Sequence, residues 1–226
     1  MQDYTDDNMA ISGDKFSNTG NTGSNGNISL LPGHPAARLR GQPASNSRYG
    51  LQPGATDLVA ELAKTLHATT SRCQPHALAA AAKASLRGYL CEPELLAPQH
   101  QQGNADRYQR HLLYADPERQ FSVLAIVWLP GQRTPIHGHT AWGAVGVYAG
   151  HPYCEVFDTR TQAKPAMELE PQLKLRLHPR DLATVQPGID DVHRIGNDTR
   201  KTCITIHIYG RDLLASPGSI NITFNS

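Results

Sequence analysis

The sequence predicts a mainly β domain, a sandwich or barrel, with two helices ahead of it and a flexible tail ahead of those. Three observations carry this. Beyond Tyr108 the apolar residues come in short strand-like runs broken by Gly and Pro turns. The spacing of these turns, about 8 to 12 residues, is that of all-β sandwiches and barrels. Between residues 56 and 90 the apolar residues instead fall at helical spacing, and residues 1–50 have too few of them to form a core.

The tail is rich in Ser, Asn, Gly, Thr and Asp, with "SNTGNTGSNGN" at its centre. Such a segment buries too little apolar area to offset its ordering entropy. The remainder, 51–226, reads as one domain with helices over about 55–92 and a barrel over about 107–226. In "TDLVAELAKTLHATT", Leu58, Val59, Leu62 and Leu66 mark one helix face and Thr56 is the expected N-cap. A second helix is expected to start at Pro75 and to run through "HALAAAAKASLRGYL". Both are expected to form a lid or base and not the site. The strand runs are "RHLLYA", "FSVLAIVWL", "GAVGVYAG", "YCEVFD", "LKLRLH", "DLATVQPG", "KTCITIHIYG" and "SINITF".

Charge and composition narrow the function. Twenty-one basic residues against 20 acidic ones, with no K/R-rich block, argue against a nucleic-acid or anionic-membrane partner. No apolar run reaches the roughly 20 residues of a membrane helix. "MQDYTDDNMAISGDKF" lacks a basic stretch followed by an apolar one, so a cytoplasmic protein with a small-molecule partner is expected. Cys73, Cys91, Cys154 and Cys203 have no CxxC spacing and are read as reduced thiols in or near the core. His34, His67, His76, His100, His111, His151 and His178 have no partner at ligand spacing and are expected at the surface.

The chemistry is concentrated in "TPIHGHTAWG". Alternate residues of a strand leave the same face, so His137 and His139 can converge on one metal ion. A metal site needs a third ligand; His193, at the end of the turn in "PGIDDVHRIGN", fits better than His207. In "TCITIHIYG", Thr205, His207 and Tyr209 alternate and share one face.

Gly131, His137, His139 and Gly150, followed about 50 residues later by Pro187, Gly188, His193 and Asn197, resemble the two motifs of the cupin superfamily. The resemblance implies a jelly-roll barrel. Gly143 occupies the slot where many cupins place a metal-binding glutamate. From about Arg107 to Gly210, including "RYQRHLLYADPERQFSVLAIVWLPGQRTPIHGHTAWG", the chain resembles the thiol dioxygenase branch, that of cysteine dioxygenase and 3-mercaptopropionate dioxygenase.

That likeness implies Fe(II) held by His137, His139 and His193, and a small carboxylated thiol converted with O₂ to its sulfinic acid, L-cysteine first among the candidates. It implies a relay of Thr205, where Ser is usual, His207 and Tyr209, and Arg110 as the clasp for the substrate carboxylate. With no Cys between His139 and Gly150, Tyr209 is expected to carry no thioether link. The "HTAWG" stretch resembles the 3-mercaptopropionate enzymes, which place Gln at the Arg110 position and an arginine after the tyrosine strand. Here Gly218 falls at that later spot, with Arg211 near. 3-Mercaptopropionate and mercaptosuccinate therefore remain alternative substrates. Ni, Mn or Zn in place of iron, with other chemistry such as isomerisation, and a non-catalytic binding protein are the wider alternatives. The oligomeric state is left open.

Overall fold

The computed structural model describes residues 51–69, 74–158, 170–215 and 221–224. The expected tail, His34 and Cys73 lie outside the described residues. Two helices come first, α1 (Pro53–Thr69) and α2 (Pro75–Tyr89). α1 starts three residues before the expected cap: the Thr56 N–H already donates to the Gln52 carbonyl at 3.0 Å. Pro53 supplies the preset φ that suits a first turn, which the cap-based reading overlooked. The second helix starts at Pro75 as expected.

Ten strands follow: β1 (Gln109–Ala115), β2 (Ser122–Trp128), β3 (Ile136–His139), β4 (Gly143–Ala149), β5 (Tyr153–Phe157), β6 (Leu173–Arg176), β7 (Leu182–Val185), β8 (Gly188–Gly196), β9 (Cys203–Tyr209) and β10 (Asn221–Phe224). They form two five-stranded antiparallel sheets, ordered β1, β2, β9, β4, β7 and β10, β3, β8, β5, β6. The sequence reading of a mainly β jelly-roll barrel with N-terminal helices is borne out. One element differs: "PGIDDVHRIGN", read as a turn, forms the nine-residue strand β8. Gly188, Asp190 and Asp191 are poor strand formers, but pairing with β3 and β5 on either side overrides that preference.

The first sheet is buried on both faces. Val123, Ala125 and Val127 of β2 and Ile204, Ile206 and Ile208 of β9 share the main core with Leu58, Leu62, Leu66 and Leu86 of the helices. The intervening residues, Leu124, Ile126, Trp128, Thr205, His207 and Tyr209, turn to the space between the sheets, as the two-residue period requires. The helices thus cover the outside of the first sheet, and none of their residues lines the cavity within. Gly150 closes the β4–β5 turn at φ 78°, where a Cβ would also come 2.7 Å from Cys203 Sγ. Asn197 holds the end of β8 to β2: its amide donates to the Trp128 carbonyl at 2.9 Å and to that of Lys201 at 2.8 Å.

Two other expectations need correction. His111 is buried, its Nε2 2.8 Å from the Gln102 carbonyl. Cys91 is exposed, whereas Cys203 is a core thiol. Cys154 lines the cavity, where burial, then Asp191 and Glu155, push its thiol up to about 12 and keep it protonated.

Candidate metal centre

A cavity of about 70 Å³ opens between the sheets. At roughly 10–15 Å³ per water, that is space for a few waters or one small molecule. His137 on β3 and His193 on β8 are directly paired across the strands, and His139 lies one pleat further along β3. The ligand nitrogens of all three lie within 4.8 Å of one another. Ring centroids are 4.7 to 5.0 Å apart. The His137 Nδ1–H donates to the Pro135 carbonyl at 3.0 Å, which leaves Nε2 with its lone pair.

The electrostatics suit a cation. Burial, then His193, depresses His137 to about 3, and burial holds His139 well below the usual imidazole value, so both are neutral at pH 7. The Nδ1 of His139 is buried with no hydrogen-bond partner among the described residues. Such an orphan is unfavourable by about 1–3 kcal/mol, and coordination through Nδ1 would relieve the mismatch. A three-imidazole donor set fits a first-row transition ion. It carries no charge of its own, so a bound ion would keep its full positive charge for an anionic ligand.

Gly143 explains the missing acid. It pairs with Tyr209 on β9 and Val185 on β7. A Cβ there would lie 2.8 Å from Val185 Cγ2 and 2.9 Å from both the Ile208 carbonyl and Tyr209 Cδ1. The tyrosine ring fills the space a glutamate would need. Gly143→Ala is therefore expected to destabilise the protein by about 1–3 kcal/mol and to displace Tyr209, a shift readable in the denaturant midpoint and in tyrosine fluorescence.

Thr205, His207 and Tyr209 form a continuous chain. Thr205 Oγ1 is 2.8 Å from His207 Nε2, and His207 Nδ1 is 3.0 Å from the Tyr209 hydroxyl. The chain is longer than the sequence reading had it: the Trp128 indole N–H donates to Thr205 Oγ1 at 2.9 Å. An indole in "FSVLAIVWL" reads as core, and only the pairing of Trp128 with Cys203 at the end of β9 brings it to Thr205. Burial depresses His207 to about 3 and raises the Tyr209 hydroxyl above its ordinary value, so both are neutral. Tyr209 stacks near His139, ring centroids 5.8 Å apart.

Arg110 is half-buried on the cavity wall and donates to the Tyr108 hydroxyl at 2.7 Å. Tyr108 is a second residue the sequence reading missed. Arg211 points elsewhere: it donates to Thr140 Oγ1 at 3.5 Å and does not line the cavity. Trp142 of "HTAWG" packs into the main core. The seven residues singled out in the sequence, Arg110, His137, His139, His193, Thr205, His207 and Tyr209, thus meet in one place.

No protein-family model matches the chain. Among solved structures, an uncharacterised conserved protein with a double-stranded β-helix domain from Klebsiella pneumoniae is similar at 15% identity, covering 54% of this chain and 87% of its own, with a TM-score of 0.41. A cupin 2 conserved barrel domain protein from Rhodopseudomonas palustris is similar at 19% identity over 49% of this chain and 70% of its own, TM-score 0.36. A cupin-superfamily sugar phosphate isomerase from Silicibacter pomeroyi is similar at 20% identity over 41% of this chain and 51% of its own, about half its length, TM-score 0.33. These likenesses concern the fold and carry nothing about the chemistry. No described helix is long and apolar enough to cross a membrane.

The buried histidines give a pH prediction for the metal-free protein. His137 and His207 are held at about 3 in the fold, against 6.5 in an unfolded chain. Between those values the unfolded chain binds protons that the native one refuses. Their contribution is thus complete above pH 6.5 and is lost as pH falls toward 3, on the order of 1 kcal/mol per pH unit for each. Urea midpoints should fall steadily from pH 7 to pH 5. A flat profile would contradict the neutral assignment.

Proposed function

We propose that the protein is a non-heme Fe(II) thiol dioxygenase that adds both atoms of O₂ to the sulfur of a small carboxylated thiol, with L-cysteine, giving cysteine sulfinate, the first candidate. The observation that carries this reading is the cluster of His137, His139 and His193, two of which line one cavity with Tyr209 and Arg110. In this reading the three histidines hold the iron, which when bound supplies open coordination positions and the electrons that make O₂ reactive.

The chain's own residues do the rest. Arg110 offers a planar fork to the substrate carboxylate, held in place by its bond to Tyr108. The apolar wall of Leu124, Ile126, Val145 and Val185 excludes water and leaves the substrate few orientations. Tyr209, set by His207 and Thr205, places one hydroxyl beside the histidines. A cation held by His137, His139 and His193 would lower the pKa of a thiol bound beside it and so favour the thiolate, with the proton released to solvent.

Oxygen uptake by iron-loaded protein, offered L-cysteine, 3-mercaptopropionate and mercaptosuccinate in turn with the sulfinate product weighed by mass spectrometry, tests this. Turnover of cysteine supports the first candidate, and preference for another acid moves the substrate within the class. No uptake with any thiol overturns the reading.

A further inference from the structure

We infer that Asp191 is a positioning residue for the third histidine: its carboxylate holds the proton of His193 on Nδ1, leaves Nε2 bare for a divalent ion, and puts behind the ring the negative charge that the Gly143 slot lacks. The inference rests on the triad as the metal site, the part of the proposed function that involves no thiol.

Alternation along β8 turns Asp191, His193 and Ile195 to one face, and all three line the cavity. Asp191 is only 5% exposed. Its Oδ2 accepts from the Gln186 N–H at 2.9 Å, which ties the carboxylate to the chain just ahead of β8. No hydrogen bond from the described residues reaches its other oxygen, and Oδ1 lies 3.8 Å from His193 Nδ1. A buried carboxylate oxygen without a donor is unfavourable, so a positive dipole turned toward it has a large effect. The separation is too long for a hydrogen bond, and the coupling is therefore electrostatic. His193 must present either an N–H or a lone pair to that oxygen, and only the N–H is attracted. A neutral imidazole has one N–H, so a proton held on Nδ1 leaves the lone pair on Nε2.

The three rings of the triad differ in what stands behind them. Nδ1 of His137 faces the Pro135 carbonyl, and Nδ1 of His139 has no partner among the described residues. Among those residues, His193 alone of the three has a carboxylate within 4.0 Å. A carboxylate behind a metal-binding imidazole fixes the ring and raises its basicity. Asp191 also adds a negative charge near the triad without taking a coordination position, as a glutamate in the Gly143 slot would. It thereby favours a cation at the site and leaves the open positions to the ligand.

Asp191→Asn separates this role from the bond to Gln186. The amide oxygen can still accept from the Gln186 N–H, which turns the NH₂ toward His193, and the ring must then offer a lone pair at Nδ1 and carry its proton on Nε2. In metal-free protein labelled with ¹⁵N-histidine, long-range ¹H–¹⁵N spectra at pH 8, assigned with a His193→Gln variant, should show Nδ1–H in the parent and Nε2–H in Asp191→Asn. Co(II) affinity, titrated by visible absorption, should be about 10–100-fold weaker in Asp191→Asn than in the parent. A parent His193 protonated on Nε2 overturns the proposal, and that measurement needs no variant to fold. Equal Co(II) affinity in parent and folded variant overturns the metal-positioning role while leaving the triad in place. A parent that binds no Co(II) overturns the triad as the metal site, and this inference with it.

Discussion

Replacing His137 by alanine is expected to weaken divalent-metal binding by at least about 100-fold. His137 is one of three ligand nitrogens within 4.8 Å, and its orientation is already set by the bond from Nδ1 to Pro135. Losing even an outer partner of a metal-binding histidine weakens affinity about 10–100-fold, so loss of a ligand itself lies at or beyond the upper end. Metal retained after dialysis, and titration with Fe(II) and Zn(II), measure it. His137 faces the cavity and not the core under the helices, so the variant should remain folded. It should also lose less stability than the parent on going from pH 7 to pH 5, since one depressed imidazole is gone. Metal retention equal to that of the parent would remove the triad as the metal site.

Arg110→Ala is the second large effect. A charged group bound by hydrogen bonds contributes about 1.5–3 kcal/mol, so kcat/KM for a carboxylated thiol should fall by up to about 100-fold. The control is a thiol of similar size without a carboxylate, on which the substitution should have little effect. Arg110→Lys should restore part of the loss, because it returns the charge without the two-pronged geometry. Equal losses for both thiols would mean that Arg110 shapes the cavity and does not recognise the acid.

The legible part of the molecule was what periodicity encodes. The two-residue alternation in "CITIHIY" assigns Thr205, His207 and Tyr209 to one face and Ile204, Ile206 and Ile208 to the other, and the structure uses the faces in that way. The H-x-H pair could be read likewise, because its two rings need only one strand. What escaped depends on partners distant in the chain. β8 has a poor local propensity and exists because strands on both sides pair with it. Trp128 joins the relay across 77 residues of sequence, and Tyr108 is set by an arginine two positions away whose direction no spacing rule gives. The Gly143 slot could be seen to lack a ligand, but that Tyr209 fills it follows only from the pairing of β4 with β9.

Strand β9 has two sides with different work: three isoleucines against the helices, and on the other the His207 and Tyr209 rings that line the cavity with the Thr205 hydroxyl bonded to His207. Insertion or deletion of one residue at its start would not shift this arrangement gradually. It would exchange the two sides at once, placing isoleucines beside the three clustered histidines and three polar groups under Leu62 and Leu66. Point substitutions in this strand can therefore be graded in effect, whereas changes of length cannot. Any viable lengthening of the chain near it must fall in the connection through residues 197–202 or come in pairs of residues.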